Sequence, residues 1–110
     1  MKLLVVGFGF IGRNLGKAIY QKIEMVKRID KDFAITGVSD SKGYLLKDEG
    51  LDLERLSQIN ATADYPEHFS QGGSSLELIE ESRADIMVEA TPTNIKTGEP
   101  GLTHMKKALT

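Results

Sequence analysis

Apolar residues open this chain as an unbroken run and then spread to helical spacing. Leu3, Leu4, Val5 and Val6 are consecutive, a pattern that suits a strand covered on both faces of a parallel sheet, and a strand is predicted over Lys2 to Val6. From Ile11 to about Ile29 the apolar positions are Ile11, Leu15, Ala18, Ile19, Ile23 and Val26, the three-and-four spacing of one helical face, with Asn14, Lys17, Gln21 and Glu24 opposite. The expectation is one long helix lying on a sheet, its end marked by Lys27, Arg28 and Lys31 as solvated cations near the negative end of the helix dipole. Phe33 to Ser39, with Phe33, Ile35 and Val38 as apolar members, follows as a second strand and completes a right-handed βαβ unit.

The pattern weakens from Gly43 to Gly73. Leu53, Leu56 and Ile59 predict a short helix of roughly Leu51 to Ile59, and the polar stretch Asn60 to Gly73, containing Pro66, reads as a surface loop with His68 exposed; no third strand is visible here. Ser74-Ser75-Leu76-Glu77 has the form of a capping box and predicts a helix from about Ser75 to Ser82. Ala84 to Ala90 reads as another buried parallel strand, placed beside Lys2 to Val6 across the point where the winding reverses. Pro100 then suits the first turn of a helix carrying Leu102, Met105 and Leu109 on one face. The predicted fold class is α/β, a Rossmann-like doubly wound parallel sheet with Lys2 to Val6 in the middle.

Three glycines give this pattern a chemical meaning. Gly7, Gly9 and Gly12 form G-x-G-x-x-G at the exit of a strand and the entrance of a helix, the context in which the motif signals a dinucleotide site. Gly7 allows the sharp turn, Gly9 keeps a Cβ away from a pyrophosphate, and Gly12 lets the helix approach the strand. The unpaired N–H groups and positive dipole end of the helix start attract phosphate without a lysine. Gly16, four residues after Gly12, reads as a continuation of the same close-contact row, a packing feature.

At the end of the second strand stands Asp40, the acid that bonds ribose hydroxyls in such sites, although it lies twenty-eight residues after Gly12 where about twenty is usual. Ser41 and Lys42 beside it suit the 2′-phosphate of NADP, whereas Asp40 repels that group, and the balance leans slightly to NAD. The competing reading of Asp40 to Gly43 is an ordinary turn. After the strand Ala84 to Ala90, the residues Thr91, Pro92 and Thr93 are suited to line a crevice near the nicotinamide ribose and pyrophosphate, with Pro92 stiffening the turn.

Composition narrows the partners. At 110 residues the chain is one domain or part of one, and 40% hydrophobic and 27% charged residues are ordinary for a soluble globular protein. A net charge of -2 gives no general attraction to nucleic acid or anionic lipid. No stretch approaches the eighteen or so continuous apolar residues of a membrane span, and a strand starting at Lys2 leaves no room for a signal peptide, so a cytoplasmic protein is expected. There is no cysteine, and the two histidines, His68 and His104, lie far apart without carboxylates at ligand spacing, so no metal site is expected.

With both crevice loops in view, the chain resembles the amino-terminal cofactor domain of homoserine dehydrogenase. The resemblance is carried by Gly7-Phe8-Gly9-Phe10-Ile11-Gly12-Arg13, Asp40-Ser41-Lys42-Gly43, Gly50-Leu51-Asp52-Leu53 and, most specifically, the run from Ala84 to Asn94 continued by Gly98-Glu99-Pro100. It implies NAD(P)-dependent interconversion of homoserine and aspartate semialdehyde, a step of threonine and methionine biosynthesis. Phe10 and Ile11 would lie along the pyrophosphate turn, with Thr91 and Thr93 near the nicotinamide. The resemblance further implies that residues 1–110 are a partial NAD(P)-binding domain, its sheet incomplete at the carboxyl end. The catalytic lysine and substrate-binding acids, like the surfaces of a homo-oligomer, would lie in regions this sequence does not contain, so these residues alone are expected to be inactive. A non-catalytic NAD(H)-sensing module, or the cofactor domain of a related enzyme such as aspartate dehydrogenase, are the alternatives.

Overall fold

The computed structural model describes residues 1–92, 94 and 96–110. Its elements are β1 (Lys2–Val6), α1 (Phe10–Gln21), α2 (Ile23–Ile29), β2 (Ala34–Asp40), β3 (Gly43–Leu46), α3 (Leu53–Gln58), β4 (Phe69–Gln71), α4 (Ser75–Glu81), β5 (Ile86–Glu89) and α5 (Gly101–Ala108), with 3₁₀ turns at Thr62–Asp64 and Pro66–His68. The strands of the described residues form one sheet in the order β4-β3-β2-β1-β5. β1 is parallel to both neighbours, with Leu3 opposite Ile35 and Ile86, and Val6 opposite Ser39 and Glu89. The three strands expected from sequence are thus present, parallel, and centred on β1.

Alternation along β1 explains why its apolar run is continuous. Leu3 and Val5 face one layer, with Ile35, Val38, Leu45, Leu56 and Tyr65, against which Leu15 and Ile19 of α1 pack. Leu4 and Val6 face the other layer, with Tyr44 and Leu78. Successive side chains of a strand point to opposite faces, so a strand covered on both needs no polar position.

Several expectations are corrected. The long helix is two, α1 and α2, separated at Lys22, whose φ of -109° and ψ of 18° leave the helical range. Ile11 and Ala18, expected on the sheet-facing stripe, are exposed. α2 has no fully buried residue and meets the core through Val26. Gly16 is not a close-contact position, since a Cβ there meets nothing within 4 Å.

The segment Gly43 to Gly73 contributes two strands where none was expected. β3 returns antiparallel beside β2 after a two-residue turn, with Asp40 opposite Gly43, and β4 pairs antiparallel with β3. Asn60 to Gly73 is therefore only partly a surface loop, because Thr62 and Tyr65 are buried beneath it. His68 is half-buried, its ring edge-on to Tyr65 at 5.8 Å. Arg55 stacks over the same Tyr65 ring at 4.2 Å and forms a two-pronged ion pair with Glu67, tying α3 to this segment.

β5 is the sheet edge, and Ile86 is 45% exposed, so it is not the fully buried strand expected. On α5 the apolar face of Leu102, Met105 and Leu109 is exposed, and the buried residues are Gly101 and His104. No helix among the described residues is long and apolar enough to cross a membrane.

Leu45 on the unexpected strand β3 has no exposed surface. Leu45→Ala is expected to lower unfolding stability by about 2–5 kcal/mol in a urea titration; a loss below about 1 kcal/mol would mean that β3 is not part of the core.

Candidate functional site

The carboxyl ends of β2, β1 and β5 lie side by side, and the turn after β1 sits between the other two. The Gly7 N–H donates to the Ser39 carbonyl at 3.0 Å and approaches Ser39 Oγ at 3.3 Å, which fixes one flank of the turn to β2. Ser39 Oγ is also 2.8 Å from Ser75 Oγ in the first turn of α4. On the other flank the Ala90 N–H donates to the Val6 carbonyl at 2.8 Å, continuing the β1–β5 ladder into the loop.

The three glycines serve different masters. Gly7 has a φ of +100°, and a Cβ there would fall 2.7 Å from Thr91 N and 2.8 Å from the Ala90 carbonyl carbon, so both conformation and space require glycine. At Gly12 a Cβ would fall 2.1 Å from the Gly7 carbonyl oxygen, so this glycine brings α1 onto the turn. Gly9 differs. Its φ of -86° is open to any residue, and a Cβ there meets nothing within 4 Å.

Gly9 is also the N-cap of α1, which has no side-chain cap and no acidic residue in its first turn. A helix start leaves backbone N–H groups without intrahelical partners, and their partial positive charge suits an anion. Phe10 and Ile11 flank this start and are 78% and 66% exposed. Open space over Gly9 and uncapped donors beside it fit the pyrophosphate of a dinucleotide.

Asp40 lies one residue beyond Ser39, on the β2 side of the turn. Its Oδ1 accepts from the N–H groups of Lys42 at 2.9 Å and Gly43 at 3.2 Å, and its Oδ2 accepts from the Thr62 N–H at 2.9 Å. It is therefore the acceptor that closes the β2–β3 turn, at the carboxyl end of the strand beside β1. Ser41 and Lys42 are exposed at the tip of that turn. Thr91 and Pro92 lie on the β5 side, whereas Thr93 lies outside the described residues. The structure thus brings Gly7, Gly9, Phe10, Ile11 and Gly12 together with Thr91 on one side and Asp40 on the other.

Sequence reading missed a polar pair behind the Thr91 loop. Glu89 Oε1 accepts from the Thr91 N–H at 3.1 Å and from the Thr91 hydroxyl, and Glu89 Oε2 is 2.8 Å from His104 Nδ1. The two partners are fifteen residues apart and joined by no regular period, so only a lone polar residue in a helix was visible. A separate cavity of about 170 Å³, lined by Leu4, Ile79, Asp85 and Ala108 among others, opens by the amino-terminal end of β5 and is not continuous with these residues in sequence or strand position.

Fold and turn together define a Rossmann-like α/β domain. No family model matches the chain. Its homologues are homoserine dehydrogenases. Over 99% of its length it is 33% identical to the homoserine dehydrogenase of Methanocaldococcus jannaschii, and over 98% it is 31% identical to the NAD(+)-dependent homoserine dehydrogenase of Pseudomonas canavaninivorans. The chain spans about a third of the length of these curated relatives, 33% and 32% respectively. Among solved structures, a homoserine-dehydrogenase-like protein of Archaeoglobus fulgidus matches 99% of the chain with a TM-score of 0.74 at 24% identity, covering 31% of that protein. Homoserine dehydrogenase from Thermoplasma acidophilum matches 98% of the chain with a TM-score of 0.60, also at 24% identity, and 33% of that protein is covered. These two likenesses support the fold.

The glycines make opposite demands on stability. Gly7→Ala is expected to cost about 2 kcal/mol or more, from left-handed strain and overpacking against backbone, whereas Gly9→Ala should change stability by less than about 0.5 kcal/mol. Thermal melts of the two variants compare them directly, and equal losses would contradict the division of roles.

Proposed function

We propose that this chain is the cofactor-binding portion of an NAD(P)-dependent homoserine dehydrogenase. The observation that carries the reading is Gly9, a glycine that neither backbone conformation nor neighbouring atoms require, at an uncapped helix start. The homology along the chain supplies the substrate class, homoserine and aspartate semialdehyde.

In this reading the N–H groups at the start of α1 hold the pyrophosphate, with Phe10 and Ile11 beside it and Gly7 and Gly12 shaping the turn. Asp40 takes the adenosine ribose. Its oxygens are already fixed by three backbone N–H groups, so the carboxylate is pre-oriented and keeps one acceptor position, on Oδ2, for a ribose hydroxyl. The same charge disfavours a 2′-phosphate, and the NAD(+)-dependent relative agrees in direction; Ser41 and Lys42 soften the preference without reversing it. Thr91 and Pro92 lie toward the nicotinamide half. A bound nicotinamide supplies hydride acceptance and donation.

Substrate chemistry belongs to parts of the protein beyond these residues. Hydride transfer needs the reacting carbons in near-attack geometry, worth about 7–11 kcal/mol of barrier, and a base within reach of the hydroxyl proton. The protein as a whole is proposed to serve threonine and methionine biosynthesis in the cytoplasm, as a homo-oligomer assembled through other regions.

Calorimetric titration tests the binding step. The 110-residue chain is expected to bind NADH, and NADPH more weakly. Gly9→Val, which places a branched side chain where the pyrophosphate lies, should weaken both by about tenfold or more, the equivalent of one lost charge-assisted hydrogen bond. Binding unchanged by Gly9→Val would remove the glycine turn from the site.

A further inference from the structure

We propose that Glu89 and His104 are positioning residues that hold the Thr91 loop in place for the nicotinamide half of the cofactor. This deepens, and rests on, the cofactor reading above.

Glu89 is the last residue of β5, opposite Val6 in the β1–β5 register. Its carboxylate is divided between two elements. One oxygen takes both donors of Thr91, the N–H and the hydroxyl, and the other takes His104 Nδ1 on α5. Only 14% of the Glu89 side chain and 10% of the His104 side chain are exposed. A carboxylate so far removed from water is costly unless donors replace its hydration, and here two donors from the loop and one from the helix do so.

The pair also explains how α5 docks. Its apolar residues Leu102, Met105 and Leu109 are 39%, 47% and 87% exposed, while His104 and Gly101 are the buried positions. An imidazole bonded to a strand-end carboxylate ties this helix to β5, and an ion pair between Lys107 and Glu80 at 3.5 Å ties it to α4. The Nδ1 atom faces the carboxylate, which selects the protonated nitrogen on that side of the ring.

What the pair holds lies directly on the glycine turn. A Cβ at Gly7 would be 2.7 Å from Thr91 N and 2.9 Å from Thr91 Cα, so the peptide fixed by Glu89 is in contact with the turn that shapes the pyrophosphate site. The loop is on the β5 side, away from Asp40, which stands on the β2 side. A displacement of Thr91 is therefore felt by the half of a dinucleotide that crosses from the glycine turn toward β5. The adenosine half, on the Asp40 side, is spared.

The test compares NADH with ADP, a ligand that lacks the nicotinamide half, on the 110-residue chain and on Glu89→Ala, Glu89→Gln and His104→Gln, using calorimetry and NADH fluorescence. Glu89→Ala is expected to weaken NADH by about tenfold or more, from the loss of charge-assisted bonds, with ADP affinity nearly unchanged. Glu89→Gln keeps an acceptor for Thr91, and its amide N–H donates to His104 Nδ1 once the ring takes the Nε2–H tautomer, so it should recover most of the NADH affinity. His104→Gln should show the same split to a smaller degree, and it decides the matter if Glu89→Ala has no cooperative melting transition. Equal losses for NADH and ADP, without recovery in Glu89→Gln, would assign the pair a general structural role and overturn the proposal. NADH affinity unchanged in every variant would also overturn it while leaving the cofactor reading intact. An unaltered chain that binds neither ligand would overturn both.

Discussion

The arrangement depends on one close approach, the seating of Gly7 between the ends of β2 and β5. Its N–H is bonded to Ser39 on one flank, its Cα lies against the Ala90–Thr91 peptide on the other, and its carbonyl oxygen occupies the space a Cβ at Gly12 would need. Two segments distant in sequence and the start of α1 therefore converge on one residue without a side chain. The parallel pairing of β1 with both neighbours sets their ends at the same level, and the turn then has only a narrow passage into α1. A crevice at the carboxyl ends of strands flanking a reversal of winding is the general consequence of that geometry.

This constraint separates what the fold needs from what a ligand needs. Gly7 and Gly12 are demanded by backbone atoms, whereas the space over Gly9 is used by none of the described residues. Leaving α1 with glycine as its N-cap costs only a few tenths of a kcal/mol relative to a polar cap. That small cost keeps the first-turn donors available for an anion. Asp40 answers to the fold, closing the β2–β3 turn with one oxygen and holding Thr62 with the other.

How much of this was legible in the sequence follows from length and period. β1, β2 and β5 were visible because their apolar runs are bounded by turn signals, and the glycine motif was visible because its three positions are adjacent in the chain. β3 and β4 were not, being four and three residues long, and the Asp-Ser-Lys-Gly cluster that leads into β3 reads as a turn. The interruption at Lys22 was hidden because the apolar spacing runs on across it. On α5 the helical period is legible, but which face is buried is not: Leu102, Met105 and Leu109 are exposed, and the buried side chain is His104, bonded to a strand-end carboxylate. Glu89 and His104 belong to the site only in three dimensions.

The central claim is that the start of α1 and the Thr91 loop form one cofactor-facing surface. Backbone amide chemical shifts of the isotope-labelled chain, followed during titration with NADH, test it most directly. The account predicts the largest changes at Gly9, Phe10, Ile11 and Thr91, with α2 and α3 unaffected. Changes confined to other surfaces, or none at saturating NADH, would contradict it.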